Sequence, residues 1–337
     1  MLKTRFTERF GIELPIVSAG MGAVAGAALA ATVSEAGGLG TIALVGYSPE
    51  SALEEISAAR ALTKKPIAVN LLLPFTPPEL LRAMRGAPIS AITMFWGDPT
   101  AQIPNAKALG IPIFWQCGSV REARAAEEAG ADLIIAQGFE AGGHVRGLMT
   151  TMALVPEVRD AIGDLPMLAA GGIVDGRGLA AALALGADGA VFGTRFLGAA
   201  ECTAHPEYRR AIIAAHGEDT VHTELFDIGW PNAPHRVLRT ATVDRWEREG
   251  RAASGKRPGE GEVIGRMTRG GREMQLVRYS TTPPTTHSEG DIAAMPHYAG
   301  QGVGAVRKIQ PAAEIVAEIA AQAHEVIART LASTIVR

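Results

Sequence analysis

One histidine of the chain sits where a proton could be moved. His144 lies in the run Ala136-Gln-Gly-Phe-Glu-Ala-Gly-Gly-His-Val-Arg-Gly, flanked by three nearby glycines. An imidazole in a glycine-rich loop can act as a base near neutral pH; the competing reading is a solvated or structural side chain. The other seven histidines, at 205, 216, 222, 235, 287, 297 and 324, lack such a setting. The best of them is His297, because Ala299-Gly-Gln-Gly follows it. A second pattern is Leu168-Ala-Ala-Gly-Gly-Ile-Val-Asp-Gly-Arg-Gly-Leu, followed by Leu185-Gly-Ala-Asp-Gly-Ala-Val-Phe-Gly-Thr-Arg-Phe. Each reads as a strand ending in glycine before a helix start. Gly171-Gly172 and Gly193-Thr194 would let backbone N–H groups approach phosphate oxygens, aided by a helix N-terminus. The alternative is a pair of tight turns with no ligand.

Further polar or permissive residues end other apolar runs. Pro15-Ile-Val-Ser-Ala-Gly-Met-Gly closes on Gly20-Met21-Gly22, whose backbone could lie against a flat ring or simply end a strand. Asn70 interrupts Ala68-Val-Asn-Leu. Its amide needs a partner, met by a ring edge or by a loop it caps. Gln116 and Cys117 end a further run, and no motif surrounds Cys117 to mark it as a nucleophile.

The elements that must hold these residues follow from apolar periodicity. Strands are expected at 16–18, 40–43, 67–72, 90–94, 111–115, 133–136, 167–169 and 190–192. Ala-rich helical runs lie between them, near 26–36, 49–62, 77–85, 100–109, 119–129, 149–162 and 176–185. Near-continuous apolar strands alternating with helices imply parallel pairing with both sheet faces covered. Eight such units favour a closed TIM (β/α)8 barrel over an open sheet. Every candidate residue then falls at a strand's C-terminal end, on the face where barrel active sites form. After Phe196 the rhythm stops. Residues 203–297 read as an insertion or cap between the last barrel strand and the C-terminal helix, with residues 1–202 and 298–337 forming the barrel. The insertion is locally basic: eleven Lys/Arg against six Asp/Glu between Arg236 and Arg278. A regular helix returns over 311–331.

Composition excludes several classes. With 47% apolar and 20% charged residues the chain can bury a core, so it is not disordered. A net charge of −3 gives no global field for nucleic acid. Two cysteines make no disulfide framework, and the charged N-terminus carries no apolar segment of signal length, so a soluble, cytoplasmic protein is expected. The longest apolar stretches are too short to span a bilayer. Gly20-Met-Gly-Ala-Val-Ala fails the dinucleotide fingerprint at its third glycine.

Taken together, Gly20-Met-Gly, Asn70, Gln116, Gln137, the Glu-Ala-Gly-Gly-His loop, Gly171-Gly172 and Gly193-Thr194 resemble the nitronate monooxygenases, which are FMN-dependent barrels. The resemblance covers residues 5–200 and again Tyr298–Ile319, including Tyr298-Ala-Gly-Gln-Gly-Val-Gly. It implies that Gly20, Met21 and Gly22 contact the isoalloxazine and that Asn70 and Gln116 bond its polar edge. Gln137, Gly142 and Gly143 would hold the ribityl and phosphate side. Ala170, Gly171, Gly172, Gly193, Thr194 and the late-loop Gln301 would hold the phosphate, and His144 would be catalytic. Some relatives carry Lys where Gln116 stands. The implied reaction is oxidation of an alkyl nitronate by O₂ to a carbonyl compound and nitrite. The alternative is an NAD(P)H-dependent reductase acting on an enoyl thioester or quinone. The implied partners are a small-molecule substrate and O₂, with no metal, and a homodimer is compatible with the pattern.

Overall fold

A computed structural model describes residues 2–269 and 272–331. The barrel strands are β1 (Ile16–Ser18), β2 (Gly40–Ala43), β3 (Ile67–Leu72), β4 (Ala91–Phe95), β5 (Ile113–Cys117), β6 (Leu133–Gln137), β7 (Met167–Ala170) and β8 (Ala190–Phe192). All pair in parallel with their sequence neighbours, and β8 returns to pair with β1. The ring closes at β1 and β2 through the Val17–Leu39 bridge, with Ser18 N donating to Leu39 O at 3.1 Å. Eight parallel strands with intervening helices make this a TIM barrel, as the alternation of apolar runs requires. The strand bounds differ from the expected ones by at most two residues.

Local sequence explains the helix starts. Ser48 accepts from Ser51 N ahead of the helix Pro49–Leu62, and Ser119 accepts from Glu122 N ahead of Val120–Glu128. Asp175 accepts from Arg177 N and Gly178 N ahead of Gly176–Ala184. Each satisfies orphan donors of the first turn.

Two apolar layers follow from the strands' alternation. The outward set packs under the helices. The inward set is Val17, Leu39, Ala68, Ala91, Phe114, Leu133, Ile135, Leu168, Ala170 and Val191, joined by Phe6 and Ile12. Phe6 and Phe10 come from the N-terminal helix Arg5–Phe10, which plugs the lower mouth, the Phe10 ring lying 4.8 Å from that of Phe114.

The C-terminal helix Ala312–Glu325 runs outside the barrel, where Gln322 Oε1 accepts from Gly176 N at 2.8 Å. Its last stretch, Val326–Leu331, is a π-helical turn rather than the regular helix expected. Residues 332–337 of the expected barrel segment lie outside the described residues.

Residues 203–297 carry the helices Pro206–Ala214 and Ala241–Arg248 and two small antiparallel sheets. In the first sheet, Thr220–Thr223 pairs with His235–Leu238, which pairs in turn with Gly143–His144 from the barrel. The second is built from Val263–Arg269, Arg272–Val277 and Ser288–Gly290. The basic excess read from the sequence is largely internal. Arg239, Arg245, Arg251, Arg257, Arg266 and Arg278 each meet a carboxylate, several of them from outside the basic stretch: Asp227, Glu289 and Asp291. No helix among the described residues is long and apolar enough to cross a membrane.

Candidate active site

The upper layer of the barrel interior is where apolar character ends. Two residues beyond Ala68, Ala91, Phe114, Ile135 and Val191 on their chains stand Asn70, Thr93, Gln116, Gln137 and Gly193. The two-residue period places them on the same inward face. Asn70, Thr93 and Gln137 are buried there and Gln116 is half-buried. Cys117, one residue on from Gln116, belongs to the outer layer instead. Burial, then the nearby Glu122 carboxylate, pushes its thiol far above the ordinary range, so it is no nucleophile.

Close approaches tie the strand-end loops together. A Cβ at Gly20 would fall 2.2 Å from Asn70 Cβ, so the β1 loop can lie over Asn70 only with glycine there. Met21 packs on the core and Gly22 faces Val45. Around the β7 and β8 loops, Gly171 (φ +102°) and Gly172 (φ +71°) adopt left-handed backbone. A Cβ at Gly172 would meet Glu140 Cβ at 3.2 Å, and one at Gly142 would meet Gly300 N at 2.4 Å. Thr194 Oγ1 accepts from Gly300 N at 2.9 Å, and Glu140 O accepts from Gln301 N at 2.9 Å. Thr151 steadies this end: its hydroxyl lies 2.8 Å from Gly171 O, and Glu140 Oε2 accepts from its N–H at 2.8 Å. Glu140, Gly142, Gly171, Gly172, Thr194, Gly300 and Gln301 therefore converge. Among the described residues, the N–H groups of Gly172, Gly193 and Thr194 meet no protein acceptor. They could hold the terminal phosphate of a mononucleotide.

Gln137 links the two halves. Its Nε2 donates to His144 O at 3.1 Å, and its Oε1 is buried with no partner. His144 is held by main chain on the other side as well, because Gly143–His144 pairs with Arg236 and His235 and Val145 N donates to Pro234 O at 2.8 Å. Arg236 adds a bond from Nη2 to Phe139 O at 3.0 Å. The imidazole is packed between rings. Trp230 lies 4.0 Å away, His235 5.3 Å, Tyr298 5.5 Å and Trp96 6.0 Å, centroid to centroid. Its Nε2 is buried and unpartnered. Burial, then the neighbouring His235, holds His144 well below its ordinary value, so the ring is neutral at pH 7. A neutral imidazole with a free nitrogen is a proton acceptor.

Not every candidate meets the others. Gln116 makes no hydrogen bond with another site residue among those described. His297 is structural: its Nε2 bonds Ile292 O at 3.1 Å and its ring stacks on Tyr208 at 4.7 Å. Burial lowers it to about 4, so the glycines that follow it mark the late loop, not a base. Of the residues around His144, Trp96 and Trp230 escaped sequence reading, His235 was set aside with the other histidines, and Tyr298 entered only as the start of the late loop. The aromatic type of Trp230 inside a polar insertion was the one available signal.

A closed barrel with a polar upper layer and paired glycine loops at β7 and β8 has its candidate site on the face where barrel active sites form. The chain belongs to the nitronate monooxygenase family, a family of flavin-dependent oxidoreductases, whose model matches residues 3–80 and 79–322. The match runs through residues 203–297. A "(3aS,4S,5R,7aS)-5-hydroxy-7a-methyl-1-oxo-octahydro-1H-indene-4-carboxyl-CoA dehydrogenase" of Mycobacterium tuberculosis is 37% identical over 254 residues, 74% of this chain and 70% of its own. A "probable nitronate monooxygenase" of Staphylococcus saprophyticus is 36% identical over 273 residues, covering 66% of this chain and 76% of its own. The solved structure of FabK from Thermotoga maritima superposes with a TM-score of 0.81 at 32% identity, over 99% of this chain and 100% of that one.

Proposed function

We propose that the protein binds FMN and oxidises alkyl nitronates with O₂ to a carbonyl compound and nitrite, with His144 taking the α-proton of a neutral nitroalkane or orienting the nitronate. The observation that carries the reading is the neutral, buried and unpartnered Nε2 of His144 at the polar mouth of the barrel. The cofactor assignment has its own supports. The orphaned Oε1 of Gln137 suits a ribityl hydroxyl. The acceptor-free N–H groups of Gly172, Gly193 and Thr194 suit one phosphate, with Gly171, Ala170, Gly142, Gly143 and Gln301 beside them. Gly20, Met21, Gly22, Asn70 and Gln116 are assigned to the ring. FMN, when bound, would take up the substrate's electrons and deliver them to O₂.

The chain's residues do the rest. His144 Nε2 accepts the proton α to the nitro group, at a cost set by its depressed basicity. Gln137 fixes the loop by its bond to His144 O. The rings around His144 exclude water, which sharpens every polar contact inside. The insertion completes the site, since Trp230 and His235 belong to it. A second reading, NAD(P)H-dependent reduction of an enoyl thioester or quinone, draws on the name of one relative, which is a dehydrogenase of a carboxyl-CoA compound. The insertion's arginines are mostly paired with carboxylates, which leaves them poorly suited to a nucleotide phosphate. Aerobic incubation of FMN-loaded protein with nitroethane, with nitrite measured against oxygen consumed, separates the two. Nitrite release is expected. Oxidation of NAD(P)H by an enoyl thioester without any nitrite formation would replace the first reading by the second.

A further inference from the structure

Trp230 reaches the site from a short turn of the insertion between Asp227 and Pro234. Left-handed residues stand on both sides of it, Gly229 (φ +99°) and Asn232 (φ +55°), which fix the direction of the turn. The indole is 7% exposed, buried although its turn is surface chain. It is the nearest ring to His144 and also meets Trp96 at 4.8 Å and Phe75 at 5.2 Å, both edge-on. Phe75 follows β3 and Trp96 follows β4, so three separate loops converge on this indole. Trp96 is held at φ +68°, a backbone conformation rare for an aromatic residue. Such strain persists only where surroundings impose it, and it clusters at functional sites. Arg146 contributes, with Nη1 on Gly97 O at 2.9 Å and its guanidinium 5.9 Å from the Trp96 ring.

The polar atom of Trp230 is as informative as its ring. A buried indole N–H ordinarily finds an acceptor. Trp246 follows the rule, donating to Ala252 O at 2.8 Å. Among the described residues, Trp230 Nε1 meets no protein acceptor and is not fully buried, so it is open to a ligand or to water. The rings around His144 are those of Trp96, Trp230, His235 and Tyr298. The immediate surroundings therefore offer a flat apolar wall and one free donor.

We propose that Trp230 is the specificity-determining residue of this site: its ring limits the width of the substrate's apolar body beside His144, and its N–H donates to an acceptor oxygen of the substrate. The ligand class is a small compound with a narrow alkyl body and a terminal nitro, nitronate or carbonyl oxygen. The inference rests on the reading of His144 as the reacting base, but its test does not need turnover.

The experiment compares wild type, Trp230→Phe and Trp230→Ala as FMN-loaded protein. Two unreactive probes, acetamide and hexanamide, are titrated by calorimetry, and kcat/KM is measured for nitroethane and 1-nitrohexane. Trp230→Phe keeps a ring and removes the donor. Acetamide binding is expected to weaken three- to tenfold, with the hexanamide-to-acetamide ratio unchanged. Trp230→Ala opens the wall, and that ratio is expected to rise about tenfold or more, as does the nitrohexane-to-nitroethane ratio. Unchanged acetamide affinity in Trp230→Phe, or an unchanged ratio in Trp230→Ala, overturns the proposal. If the wild type turns over neither nitroalkane, the nitronate reading fails, while the amide titrations still decide the role of Trp230.

Discussion

His144 combines two properties that oppose each other. Burial leaves it neutral and ready to accept a proton, yet the same burial makes the imidazolium costly. No carboxylate is among the groups that shift it, unlike a triad histidine, so the charge it acquires is met by neighbouring rings alone. His144→Asn is expected to lower kcat/KM for a neutral nitroalkane about 10²–10⁴-fold while flavin content stays near wild type. With preformed nitronate the loss is expected to be smaller, because the α-proton is already gone. Stopped-flow flavin reduction with both forms makes the comparison, and equal small losses would remove His144 from the base role. The pH dependence follows from the same burial. The acid limb assigned to His144 should lie well below 6.5, so kcat/KM for the neutral substrate should stay flat from pH 7 down to pH 6. A limb centred at or above 6.5 would mean that the ring is solvated. Asn70, Gln116 and Gln137 were legible in the sequence, because an amide closing an apolar run has a two-residue period to place it. Trp96, Trp230 and Tyr298 were not. They meet His144 across separations that no local pattern encodes, and Trp96 adopts left-handed backbone without the glycine or asparagine that signals it.

At the scale of elements, the strand ends determine what each loop can do. The two glycine loops differ in a way that a pair of variants can separate. Gly171 and Gly172 need left-handed backbone, whereas Gly193 has ordinary φ (−97°) and only Ala19 Cβ, at 3.6 Å, near an added Cβ. Gly193→Ala should therefore fit and retain FMN affinity within a few-fold. Gly193→Asp should weaken FMN binding by repulsion from the phosphate, with unchanged far-UV dichroism. Equilibrium dialysis of the two variants is the check, and equal affinities would place the phosphate elsewhere. The barrel itself was readable because each strand is a short apolar run between helix caps and glycine. The insertion was not. Its two sheets and small cores, such as Leu225, Phe226, Val237, Val243 and Tyr279, come from distant segments without repeated periodicity. Its charge excess was visible in the sequence but its pairing was not, because the carboxylates that neutralise it lie partly outside the basic stretch.

The whole molecule carries a pH dependence of its own. His144, His235 and His297 are buried neutral, the last two lowered to about 4 by burial. In the unfolded chain each titrates near 6.5, so between about 6.5 and 4 the unfolded state binds more protons and stability falls as pH falls. Each group contributes up to about 1.4 kcal/mol per pH unit within that window and nothing above it. The melting temperature should be level from pH 8 to 7 and decline from pH 6.5 to 4.5. His297→Gln, which can keep a donor toward Ile292 O, should shallow the decline; an identical slope would show that His297 titrates normally. The barrel fold is shared by enzymes with different electron donors, so the central question is which donor this one accepts. The direct measurement is anaerobic mixing of FMN-loaded protein with nitroethane nitronate and, separately, with NADPH, followed by the visible flavin absorbance. Bleaching by the nitronate, reversed by air with release of nitrite, is the expected result. Rapid bleaching by NADPH with none by the nitronate would contradict it.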